Sequence, residues 1–122
     1  MTGTEIARAL IDCVGRGDID GAAALYAEDS ITWRNLDRRE LSKKQVRKIF
    51  EIFSKLDALS YEDVRIQELP SGFVQQHVLR CRTPSGEDIA ADACLVVRLE
   101  GDKIVRMDEY MDSAAIAPLM NA

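Results

Sequence analysis

The chain has 122 residues, enough for one domain over 1–122 with a buried core, and it is 47% hydrophobic and 30% charged, an ordinary globular composition. A formal net charge of −5 argues against a general nucleic-acid binder, and no apolar run approaches the roughly 20 residues that span a bilayer. The opening MTGTEIARALID carries Glu5, Arg8 and Asp12, unlike a secretory leader, so a cytoplasmic protein without membrane contact is expected.

Along the chain, Thr4 can cap a first helix whose apolar positions Ile6, Ala9, Leu10, Cys13 and Val14 fall at helical spacing, closed by Gly15-Arg16-Gly17. Asp18 then caps a short second helix with Ile19, Ala22, Ala23 and Tyr26 on one side. Ser30-Ile31-Thr32-Trp33 is β-branched and aromatic and predicts a short strand. A basic stretch follows, holding Arg34, Arg38, Arg39, Lys43, Lys44, Arg47 and Lys48, and reads as a solvated loop and helix face. The third helix starts after Ser42, with Val46, Ile49, Phe50, Phe53 and Leu56 as its apolar stripe.

From Leu59 the pattern changes to strands. Pro70-Ser71-Gly72, Thr83-Pro84-Ser85-Gly86 and Gly101-Asp102 divide the remainder into four segments near 60–69, 73–82, 88–99 and 103–111. Strands this long twist and coil, so the sheet is expected to curl around the helices. The result is an α+β fold in which a cone-shaped, curved, mixed or antiparallel sheet wraps three N-terminal helices and leaves a hollow at its wide end.

Cys13, Cys81 and Cys94 lack CxxC spacing and stand beside a single histidine, so buried reduced thiols are expected and no metal site. No Gly-rich phosphate loop is present, and no cofactor is expected.

Alternation places Phe73, Gln75, His77, Leu79 and Cys81 on one face of their strand. Ile89, Ala91, Ala93, Leu95, Val97 and Leu99 form the matching face of the next strand, and Val105, Met107, Glu109 and Met111 that of the last. The combined face is apolar except for Gln75, His77 and Glu109, the composition of a small-molecule pocket. A carboxylate there is desolvated, which raises its pKa, and a nearby imidazole opposes that rise. Glu109 and His77 are thus candidates to share a proton as general base and acid, with the small Ala91 and Ala93 leaving room. The same pair can equally serve only to satisfy two buried polar groups.

The order helix–helix–strand–helix–meander, with LYAEDSITWRN near the front and GDKIVRMDEYMD near the end, resembles the nuclear-transport-factor-two-like superfamily. Within it, the likeness is to SnoaL-like polyketide cyclases and limonene epoxide hydrolase, which implies a cystatin-like α+β roll. On the hydrolase pattern Glu109 takes the last-strand carboxylate position. Trp33 and Asn35 take the Tyr-x-Asn positions, where Asn35 orients a water or carbonyl and Trp33 is an aromatic wall. The Arg-x-Asp positions hold Gln75 and His77, so the hydrolase relay is incomplete. The position of the ketosteroid isomerase base holds Arg34 or Asn35.

The resemblance implies a cofactor-independent enzyme of cyclase, isomerase, dehydratase or hydrolase type acting on a small apolar molecule. The alternative is a non-catalytic module that binds an apolar ligand or a protein partner. The outer sheet face, with Val74, Val78, Cys94 and Val96 among charged residues, suits pairing with a second copy, and the resemblance implies a homodimer through it.

Overall fold

A computed structural model describes residues 1–120. Helix α1 (Gly3–Arg16) is capped by Thr2, not Thr4: the Thr2 hydroxyl accepts from the Glu5 amide, and the Glu5 carboxylate accepts from the Thr2 amide in return. The reciprocal pair satisfies two amides that a helix start leaves unpaired. Gly17, left-handed at φ 71°, closes the helix. Asp18 caps α2 (Ile19–Ala24) through the Gly21 amide. Ser42 caps α3 (Lys43–Phe53) with Gln45 in the return role.

Six strands form one sheet: β1 (Tyr26–Arg34), β2 (Arg39–Ser42), β3 (Asp57–Leu69), β4 (Gly72–Arg82), β5 (Asp88–Glu100) and β6 (Lys103–Met111). Their order is β2-β1-β6-β5-β4-β3, with β1 parallel to β6 and every other pair antiparallel. This is the expected α+β architecture, a curved, unclosed sheet with helices on its inner face.

Three features depart from the sequence reading. Tyr26 begins β1 instead of continuing the second helix. The short edge strand β2 pairs with β1 where a loop was expected. A fourth helix, α4 (Ser113–Met120), follows β6, with the Asp112 carboxylate accepting from the Ala114 and Ala115 amides.

Two apolar clusters lie on the inner face. One joins Ile6, Ala7, Leu10 and Val14 of α1 with Val46 and Phe50 of α3 and with Phe73, Leu95, Val97 and Met107 of the sheet. The other joins Leu79, Cys81, Ile89, Ala91, Ala93 and Met111 with Ile116 of α4. A register shift between Arg98 and Leu99 turns Ile104 into the core in place of Val105, so the inward face of β6 reads Ile104, Met107, Glu109, Met111. Gly72 is required by close approach: an added Cβ would lie 1.9 Å from the Val97 carbonyl oxygen.

Candidate functional site

A cavity of about 700 Å³ borders both clusters. Its walls are Leu10, Phe50, Phe53, Leu56, Leu95 and Ile116, and its polar interior comes from Tyr26, Thr32, Arg34, Tyr61 and Glu109. The volume lies within the range of ordinary small-molecule sites.

Glu109 reaches the cavity from β6, where Leu95 and Arg34 are its neighbours on the flanking strands. Burial raises its carboxyl pKa, and the Arg34 guanidinium opposes part of that rise. Arg34 itself is held by Asp37, with Nη2 donating to Oδ2 at 2.5 Å and Nε to Oδ1 at 3.4 Å. That ion pair keeps the Asp37 carboxyl below its ordinary range. Among the described residues, neither the Glu109 carboxylate nor the Tyr61 hydroxyl makes a hydrogen bond.

Two phenols share the electrostatic environment of Glu109. Tyr26 and Tyr61 both have pKa values pushed well above the ordinary phenol by burial, with the Glu109 charge adding to each rise. Both remain neutral donors across the physiological range. The Tyr26 hydroxyl points to the Met107 sulfur at 3.8 Å, a weak acceptor that a ligand oxygen can replace. Thr32, 5% exposed, also lines the cavity, and its hydroxyl has no partner among the described residues.

His77 does not meet Glu109. Register places Gln75, Leu95 and Glu109 in one row across β4, β5 and β6, and His77, Ala93 and Met111 in the next. Glu109 and Gln75 are therefore two strands apart, about 9.5 Å at the backbone, and His77 is displaced further along β4. The His77 ring, 4% exposed, has Nδ1 3.0 Å from Gln75 Nε2 and packs against Tyr61 with centroids 4.6 Å apart. Burial alone lowers its pKa from 6.5 to about 4. Donation from the Gln75 amide fixes a neutral ring protonated at Nε2, which backs Tyr61 from behind the cavity wall.

Asn35 and Trp33 also hold positions other than those expected. The Asn35 amide is paired with the Met111 backbone: Nδ2 donates to its carbonyl at 3.1 Å and Oδ1 accepts from its amide at 2.8 Å. Its backbone amide donates to the Glu109 carbonyl at 3.0 Å. This side chain extends the β1–β6 ladder past Arg34 and does not line the cavity that Glu109 faces. Trp33 lies on the outer face against Tyr110, centroids 5.3 Å apart, with the Arg38 guanidinium 5.2 Å from the indole centre. A register irregularity between Tyr26 and Ile31 accompanies this alternation, in which Ser30, Thr32 and Arg34 face inward and Ile31 and Trp33 outward.

Of the expected pocket residues, Met107 and Met111 line the cavity beside Glu109. Phe73 and Gln75 are fully packed, at 0% and 1% exposure. Ala91 and Ala93 belong to the cluster with Ile116, so α4 fills the room they leave. Sequence reasoning missed Tyr26, Thr32, Arg34 and Tyr61. Arg34 had a signal, as the cation that ends β1 three residues before Asp37, the spacing of a local ion pair.

The chain belongs to the SnoaL-like domain family, whose model matches residues 7–107. No curated protein matches it in sequence. Among solved structures it is similar to an NTF2-like protein from Burkholderia xenovorans LB400, at 20% identity over 97% of this chain and 96% of that one, with a TM-score of 0.78. A proposed polyketide cyclase from Pseudomonas putida KT2440 is similar at 19% identity over 94% and 95% of the two chains, with a TM-score of 0.82. A protein of ketosteroid isomerase-like fold from Catenulispora acidiphila DSM 44928, solved with trimethylamine, is similar at 12% identity over 94% and 91%, with a TM-score of 0.80. At these identities the likeness establishes the fold.

Proposed function

We propose that the protein catalyses proton transfer in a small, largely apolar substrate bound in the cavity, with Glu109 as the base. The observation that carries this reading is a desolvated carboxylate, free of protein hydrogen bonds, facing a cavity that also holds two neutral phenols. A raised pKa keeps the carboxylate basic enough to take a proton from carbon beside a carbonyl. Tyr61 or Tyr26 is then placed to donate to the oxygen where negative charge gathers, the role of a preorganised oxyanion donor. Arg34 steadies the ionised form of Glu109, while its pairing with Asp37 keeps it from neutralising the base outright. His77 enters only through Tyr61, which it supports.

The family resemblance to polyketide cyclases and isomerases supports the same reaction class. The test is exchange of the α-hydrogens of 2-tetralone with deuterated solvent, followed by NMR. The wild-type protein is expected to accelerate exchange over buffer, and Glu109→Gln, which keeps the side-chain volume, to lose on the order of 10²- to 10⁴-fold. No acceleration by the wild type, or equal rates in the two proteins, would leave a ligand-binding module in place of an enzyme.

A further inference from the structure

The cavity mouth has a charge pattern opposite to that of the chain. The protein carries a net −5, yet the charged residues lining the cavity are four cations, Arg34, Arg39, Lys48 and Lys55, and one carboxylate, Glu109. Arg34 is held by Asp37. The side chains of Arg39, Lys48 and Lys55 make no ion pair or hydrogen bond among the described residues. Arg39 is within electrostatic reach of Asp37, whose carboxylate Arg34 already occupies. Other members of the basic stretch are engaged elsewhere: Lys43 with Glu28, Arg47 with Asp20, and Arg38 over Trp33.

The spacing of the mouth residues has a helical cause. Lys48 and Ile52 are four residues apart on α3 and so share the face that lines the cavity entrance. Lys55, in the turn that follows the helix with its amide donating to the Ile52 carbonyl, lines it too. Ile52 is 56% exposed, and Met120, which also lines the cavity, is 47% exposed. The entrance thus presents apolar side chains and unpaired cations together, whereas the interior is largely apolar, with two phenols, the Thr32 hydroxyl, Glu109 and the Asp37-paired Arg34 as its polar groups.

We infer that the substrate is an amphipathic anion: an apolar body that enters the cavity, with a carboxylate head held at the mouth by Arg39, Lys48 and Lys55. This inference rests on the proposed use of the cavity and adds the substrate's charge and orientation. A carboxylate head is disfavoured inward, because the Glu109 carboxyl occupies that end and the one cation beside it, Arg34, is already held by Asp37. Head-out binding places the middle or tail of the apolar body beside Glu109 and the phenols, and it offers the unpartnered Thr32 hydroxyl a polar substituent on that body. The chemistry then occurs at a carbon remote from the anionic head.

The test uses the full chain and a pair of probes with one apolar body, decanoate and neutral decanamide, compared by isothermal titration calorimetry. Decanoate is expected to bind about tenfold more tightly at low salt, and the advantage is expected to shrink as salt rises because the cations are exposed. The combined variant Arg39→Gln, Lys48→Gln, Lys55→Gln is expected to bind both probes equally, with an unchanged urea midpoint showing that it folds. Equal binding by the wild type, a preference that persists in the combined variant, or no binding of either probe at about 1 mM would overturn the inference. The outcomes separate from the proton-transfer reading: loss of exchange in Glu109→Gln together with equal probe affinities would remove the anion and keep the base.

Discussion

Lowering the pH from 7 in the Glu109→Gln variant exposes the cost of burying the imidazole of His77. The unfolded chain takes up a proton near pH 6.5, whereas the folded ring stays neutral down to about pH 4. Between those values the unfolded state binds more protons, so folding stability falls as pH falls through the window. The gap sets a ceiling of about 3 kcal/mol, of which about 2 kcal/mol is lost by pH 5. Glu109 works in the opposite sense, because its raised folded pKa makes the folded state the better proton binder just above the ordinary carboxylate value. Removing that carboxylate takes away the opposing contribution and leaves His77 as the largest one in this window. Urea denaturation at half-unit steps between pH 7 and 5 measures it. His77 is the only histidine, so its ring resonance in the folded protein titrates without ambiguity in proton NMR. A folded midpoint at or above 6.5, or stability that stays flat to pH 5, would refute the placement of His77 behind Tyr61 and away from any carboxylate.

Two further variants test what holds the site in place. Asn35→Ala removes both side-chain bonds to Met111 and is expected to cost about 2 kcal/mol by urea denaturation, while a catalytic Asn35 without a structural role would leave stability unchanged. Gly72→Ala drives a methyl group into the Val97 carbonyl and is expected to cost at least about 3 kcal/mol; a variant of wild-type stability would contradict the packing of the β4–β5 hairpin end.

The meander was legible because its two central strands, β4 and β5, each bury one clean alternating face. Phe73 to Cys81 and Ile89 to Val97 alternate without a break, and turn residues mark every boundary. Glu109 was legible for the same reason, as a carboxylate within an inward apolar row. β1 was harder to read because its pattern is inverted: Ile31 and Trp33 face outward while Ser30, Thr32 and Arg34 face in, and hydrophobicity alone assigns the faces the other way. The role of Asn35 depends on backbone atoms of Met111, 76 residues away, and no local pattern announces such a bond. Helix α4 was hidden because Ser113–Met120 contains Pro118 and has almost no polar stripe, so it lacks amphipathic periodicity. Its absence from the sequence reading made Ala91 and Ala93 look like pocket floor.

Titration of the Glu109 side-chain carboxyl tests most directly whether this group is a desolvated base. Carbon-13 NMR of glutamate-labelled protein, with the resonance assigned by its absence in Glu109→Gln, reads the midpoint. A midpoint above the ordinary value of 4.5 is expected, because burial outweighs the nearby Arg34. A midpoint at or below 4.5 would show a solvated or tightly paired carboxylate and would contradict its role as a desolvated base.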